Sequence, residues 1–209
     1  MALAAAGVIG FSLRDAYGAG LGALGLDAAI EAAAAPISAE RDRALDIAQA
    51  KLTAALALRD DDAMLWTALA ETRFIQSTGA QVREISLPLL AASLAAAQEA
   101  ARRAPDQAAP HARIAQALAL TPGADRRAAA AALARSYRLT PLAEGLAPVR
   151  ADAAGRLWPL LSEEVRRLAT AEACMARRAG KSLAPVFAEV SSDFGCAPSS
   201  DPHSSPPGL

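Results

Sequence analysis

Two histidines, two cysteines and several paired charges are the residues of this chain with the capacity for chemistry. Metal binding or general-base catalysis would need His111 or His203 to have a partner at ligand or catalytic spacing, and the sequence offers no such pattern. Glu163-Glu164 adjoins Arg166-Arg167 at the spacing of paired surface charges on a helix. Gly18-Ala19-Gly20-Leu21-Gly22 is glycine-rich but lacks the strand-and-helix context of a dinucleotide loop, and no serine sits in a nucleophile turn beside a base. The expectation is a protein with no catalytic residue, no cofactor and no metal ligand. Cys174 and Cys196 are an even pair, compatible with a disulfide in an oxidising compartment. In a straight antiparallel hairpin of residues 159–178 and 183–194, however, the residue opposite Cys174 lies roughly nine positions, about 13 Å, from Cys196. A bridge and two separate thiols both stay open.

The elements that would position these residues are helices. Hydrophobic residues make up 53% of the 209 and aromatics only 4%. Much of the apolar fraction is alanine, which favours close-packed helices over the β-branched and aromatic surfaces of sheets. Twenty-one basic residues against 22 acidic ones give no electrostatic case for nucleic acid. Ser38 can cap a helix to about Leu58, and Asp60-Asp61-Asp62 opens the next, which stops near Gly79. A third begins around Ser86-Leu87-Pro88 and reaches Arg103, and a fourth ends at Thr121-Pro122-Gly123. Asp125 caps a fifth to Leu139. A weaker helix spans about 142–156, and Pro159 opens a long one to Arg178 whose apolar side is Leu160, Leu161, Val165, Leu168, Cys174 and Met175. Ser182 opens the last, to about Phe194, and residues 197–209 read as a disordered tail.

The N-terminal 35 residues form a separate apolar segment. Met1 to Leu13 carries no charge, and Ala16 to Leu26 is apolar and Gly-rich after Arg14-Asp15. Thirteen helical residues reach only about 20 Å of the roughly 30 Å hydrocarbon core, and no basic region precedes the run. Three readings follow: a membrane anchor with contact through residues 1–26, a signal peptide cleaved near Ala33-Ala34-Ala35, or a helix buried in protein.

Self-similarity organises residues 38–156. Asp60, Pro105 and Pro141 stand at the ends of three helices, one per hairpin. Counting back 12, 8 and 5 residues gives Ala48, Leu52, Ala55; Ser93, Ala97, Ala100; and Ala129, Leu133, Ser136. Counting forward 6, 9 and 10 gives Trp66, Leu69, Ala70 and then His111, Ile114, Ala115. At these residues the chain resembles the tetratricopeptide repeat (TPR) family, with Ala55 through Ala70 as the best match. The spacings of 45 and 36 depart from the family's repeat of about 34, and Ala147 and Arg150 replace the bulky apolar pair at the third junction.

The resemblance implies an all-α fold of TPR-like antiparallel hairpins in a short right-handed solenoid, followed by a C-terminal helical hairpin over 157–196. It also implies a concave face that binds protein segments, here Met64, Thr67, Glu71 and Phe74, then Ala109, Ala112 and Gln116. The Ala-rich style and leading apolar segment are similar to small bacterial proteins that accompany polysaccharide polymerisation and export. The expected function is a non-enzymatic adaptor for protein partners, membrane-associated on the periplasmic side of an envelope assembly. The alternatives are a structural accessory subunit of a membrane complex and a cytoplasmic location.

Overall fold

The computed structural model describes residues 16–31, 38–80 and 82–180. Among the described residues there are eight α-helices and no strand, so the chain is all-α as composition predicts. They are α1 (residues 16–31), α2 (Ala39–Leu56), α3 (Ala63–Gly79), α4 (Arg83–Arg103), α5 (Ala108–Leu120), α6 (Arg126–Leu139), α7 (Ala147–Leu157) and α8 (Glu163–Arg178). Short polar side chains set several starts by accepting from backbone N–H groups that a first turn leaves unpaired. Ser38 accepts from Arg41, Asp62 from Met64 and Leu65, Asp125 from Arg127 and Ala128, and Ser162 from Val165.

Consecutive helices from α2 to α8 pack on one another, and α3 with α5, α5 with α7, and α6 with α8 also touch. Hydrogen bonds fix α3 and α4 as an antiparallel hairpin: Ser86 Oγ donates to the Ser77 carbonyl, Arg73 Nη1 to that of Ala92 and Ser93 Oγ to that of Ala70. Alanine and leucine fill the seams. One cluster joins Leu52, Ala55, Leu65, Leu69, Ala70, Ala96 and Ala97, with Trp66, Leu21 and Ile114 against it. A second joins Ala115, Leu133, Tyr137, Ala151, Ala154, Leu157 and Val165. Side chains this small let helix backbones approach closely, which keeps the thin core dense.

Helix α1 lies on this stack through its small residues. Gly18, Gly22, Gly25 and Ala29 are its buried positions, facing Leu58 and Arg59, then Leu65 and Ala55, then Leu52. Tyr17, Leu24 and Ile30 stay exposed on its outer face. Residues 16–26 thus have a protein-packed face; residues 1–15 and 32–37 lie outside the described residues, as do Ser182 to Phe194, the tail, His203 and Cys196.

Several boundaries differ from the sequence expectation. Helix α4 starts at Arg83, three residues before Ser86, and carries Pro88 inside it. The weak helix expected over 142–156 is α7, which starts only at Ala147 and continues to Leu157. Pro159 sits in a short 3-10 turn, Trp158–Leu160, and Ser162 caps α8 instead. Of the expected apolar side of α8, Leu161 and Val165 are buried and Leu168 packs partly on the core, whereas Leu160 is exposed and Cys174 and Met175 are half-buried; Ala169, Glu172, Ala173 and Ala176 complete the buried face, where Glu172 finds polar partners.

Candidate functional site

The residues counted onto the concave face lie on α3 and α5, two of the three helices that touch in a row with α7. Met64 is 62% exposed at the start of α3, and Thr67 turns its hydroxyl back to the Ala63 carbonyl at 2.8 Å. Glu71, Phe74 and Gln116 are brought together by a residue the sequence reading did not select, Arg113. Its guanidinium pairs with Glu71, donates to Gln116 Oε1 and stacks 4.1 Å from the centre of the Phe74 ring. Gln116 passes the chain of bonds on to Asp152 Oδ2 at 2.7 Å, and Arg156 Nε reaches Asp152 Oδ1 at 2.9 Å. One polar seam therefore crosses α3, α5 and α7. Phe74, Arg113 and Gln116 are buried in it, while the Glu71 side chain is 45% exposed. Ala112 is buried with them and Ala109 is half-buried.

Burial lowers the Arg113 pKa to about 9, opposed by the charge of Asp152, so the group remains cationic at neutral pH. A buried cation needs partners on every side, and Glu71, Gln116 and Asp152 supply them. The signal in the sequence was available: Arg113 is the one Lys, Arg, Asp or Glu of α5, whose other residues are apolar except His111 and Gln116.

The positions six residues past Asp60 and Pro105 form equivalent junctions. Trp66 Nε1 donates to the Asp60 carbonyl at 2.8 Å, and His111 Nε2 lies 3.2 Å from the Pro105 carbonyl, a contact that needs the proton on Nε2. Each carbonyl also accepts from an arginine of a later helix, Arg103 for Asp60 and Arg135 for Pro105. His111 is buried, and desolvation lowers its pKa against the pull of the Pro105 carbonyl, with Arg135 adding to the lowering.

The third junction is polar. Arg150 is fully buried, donating to Ser136 Oγ and carbonyl, the Thr140 carbonyl and Glu172 Oε1, and stacking on Tyr137 at 4.5 Å. Glu172 also accepts from Tyr137 Oη at 3.0 Å and Ala143 N at 2.8 Å. Burial pushes Tyr137 and Glu172 upward in pKa; for Glu172 the Ala143 N–H and Arg150 pull the other way. The two surface pairs of the charge run separate: Glu163 and Glu164 begin α8, whereas Arg166 donates back to the Trp158 carbonyl.

Cys174 on α8 is disulfide-bonded, and the chain's other cysteine is Cys196. Among the described residues no group of three or more His, Cys, Asp or Glu could hold a metal ion, and no helix is long and apolar enough to cross a membrane. Compared with protein-family models, with curated proteins and with solved structures, the chain gives no match.

Proposed function

We propose that the protein is a non-enzymatic scaffold, a short right-handed TPR-like stack of helical hairpins that holds protein partners in a bacterial envelope assembly. The observation that carries this reading is the repeated junction, Trp66 on Asp60 and His111 on Pro105, each with an arginine from a later helix on the same carbonyl. Stacked hairpins with equivalent junctions build extended surfaces rather than a single enclosed cleft, and such surfaces serve binding. The envelope location is supported by the charge-free run from Met1 to Leu13 and by the exposed Tyr17, Leu24 and Ile30 on α1.

The same exposed apolar side chains of α1 favour a second reading, in which this helix packs permanently on a membrane subunit. Purification of the tagged chain from membranes after crosslinking, with mass spectrometry of the crosslinked peptides, tests both. Exchangeable partners crosslinked to the helical stack are expected for a scaffold, and one stoichiometric partner crosslinked to α1 for an accessory subunit. A chain recovered in the soluble fraction with no crosslinked protein contradicts both.

A further inference from the structure

Away from the row of α3, α5 and α7, a groove of about 520 Å³ opens between the start of α2, the end of α3 and the first turns of α4. That is the scale of ligand pockets, about 300 to 1,000 Å³. One wall is acidic. Asp42 and Asp46 both line it from α2, four residues apart and so on one helix face. Among the described residues neither forms an ion pair, although Arg41 and Arg43 flank Asp42 in the chain. The facing wall is aliphatic: Val82 is 49% exposed and Ile85 56%, with Leu89 beside them.

Gln76 lines the groove from α3 and is tied to the acidic wall. Its amide donates to Asp46 Oδ1 at 2.9 Å, which fixes its orientation, since a flip would set oxygen against a carboxylate. Gln76 Oε1 is enclosed and has no hydrogen-bond partner among the described residues. Gly79 and Ala80 line the groove at the end of α3, where the helix dipole is negative. The start of α2 is already capped by Ser38 and carries Glu40 and Asp42 in its first turn. The groove therefore presents acceptors and negative charge beside uncovered aliphatic carbon.

We propose that this groove docks a basic, aliphatic segment of a partner protein, a Lys or Arg next to Leu, Ile or Val. The inference rests on the scaffold reading and adds the face and the chemistry of the partner. A long basic side chain suits both walls, its stem lying along Ile85 while its head meets Asp42 and Asp46. Charge complementarity selects the occupant, because an acidic segment or an anionic headgroup would meet two uncompensated carboxylates. The groove also occupies the place where the spacing of the hairpins is longest, 45 residues from Asp60 to Pro105 against 36 to Pro141.

The test places a photo-crosslinking amino acid at position 85, and separately at position 64, of the full chain in cells that make the protein. Capture at position 85 of a peptide with Lys or Arg beside aliphatic residues is expected. Asp42→Asn with Asp46→Asn should lower that capture about tenfold, and Asp42→Lys with Asp46→Lys should abolish it, with circular dichroism unchanged. Capture of lipid or of an acidic segment at position 85, or capture that survives both charge variants, overturns the proposal. Protein captured at position 64 but not at 85 rejects the groove and leaves the scaffold standing; protein captured at neither rejects both.

Discussion

Arg150 has its guanidinium donors divided among Ser136, Thr140 and Glu172, with the ring of Tyr137 against its face. Removing one member of such a buried pair strands the other charge, so Glu172→Ala should lower unfolding free energy by about 3 to 5 kcal/mol in urea titration. Tyr137→Phe removes one charge-assisted bond and should cost less, about 1 to 3 kcal/mol. His111 makes stability depend on pH. Its pKa is below 6.5 in the fold and near 6.5 unfolded, so the unfolded chain binds the proton first. Its contribution is present above about pH 6.5 and is lost as pH falls towards the folded value. Glu172, raised above 4.5, works in the opposite sense, losing its contribution as pH rises from there. The difference in unfolding midpoint between the wild type and His111→Gln should therefore shrink from pH 7.5 to 5.5; a difference independent of pH would contradict the buried neutral ring. Counting from the turns names Glu71, Phe74 and Gln116 for a binding face, of which Phe74 and Gln116 are buried, and it does not mark Arg113 and Arg150 as core. Whether a buried charge is tolerated depends on partners up to 42 residues away in sequence, as for Arg113 and Glu71, and periodicity carries no record of them.

Helix α1 separates packing from propensity at two glycines. A Cβ on Gly25 would come within 2.9 Å of Leu52 Cγ and 3.2 Å of its backbone N, whereas one on Gly20 would meet nothing within 4 Å. Gly25→Ala should destabilise by about 1 to 3 kcal/mol through overpacking. Gly20→Ala should stabilise by up to about 1 kcal/mol through helix propensity. Equal effects in thermal or denaturant unfolding would mean that α1 is not docked on α2. For the same reason, deleting residues 1–35 uncovers Leu52, Ala55 and Leu65 and should cost stability, while deleting 1–15 leaves these contacts in place. Helix existence was legible from caps and periodicity, as at Ser38, Asp62 and Asp125. Proline's preference for a first turn points to Pro88 and Pro159, whereas α4 starts at Arg83 and α8 at Glu163, where the contact of Ser86 with Ser77 and the cap by Ser162 decide.

At the scale of the molecule, the all-α class followed from alanine-rich composition and scarce aromatics, and far-ultraviolet circular dichroism should report helix with strand well below about a fifth of residues. The packing of successive helices reflects short connections, which leave a helix little choice but to fold back on its predecessor. The junction at Trp66 ties α3 to the turn before it and to the end of α4. Trp66 is half-buried against the Leu52–Leu69 cluster, bonded to Asp60 and covered by Arg103 at 5.1 Å. Met64, two residues earlier on the same helix, is 62% exposed. Denaturant unfolding of Trp66→Ala and Met64→Ala, measured side by side, tests that junction. A loss of about 2 to 4 kcal/mol is expected for Trp66→Ala and a change within about 0.5 kcal/mol for Met64→Ala. An unchanged midpoint for Trp66→Ala, or equal losses in the two variants, would contradict it.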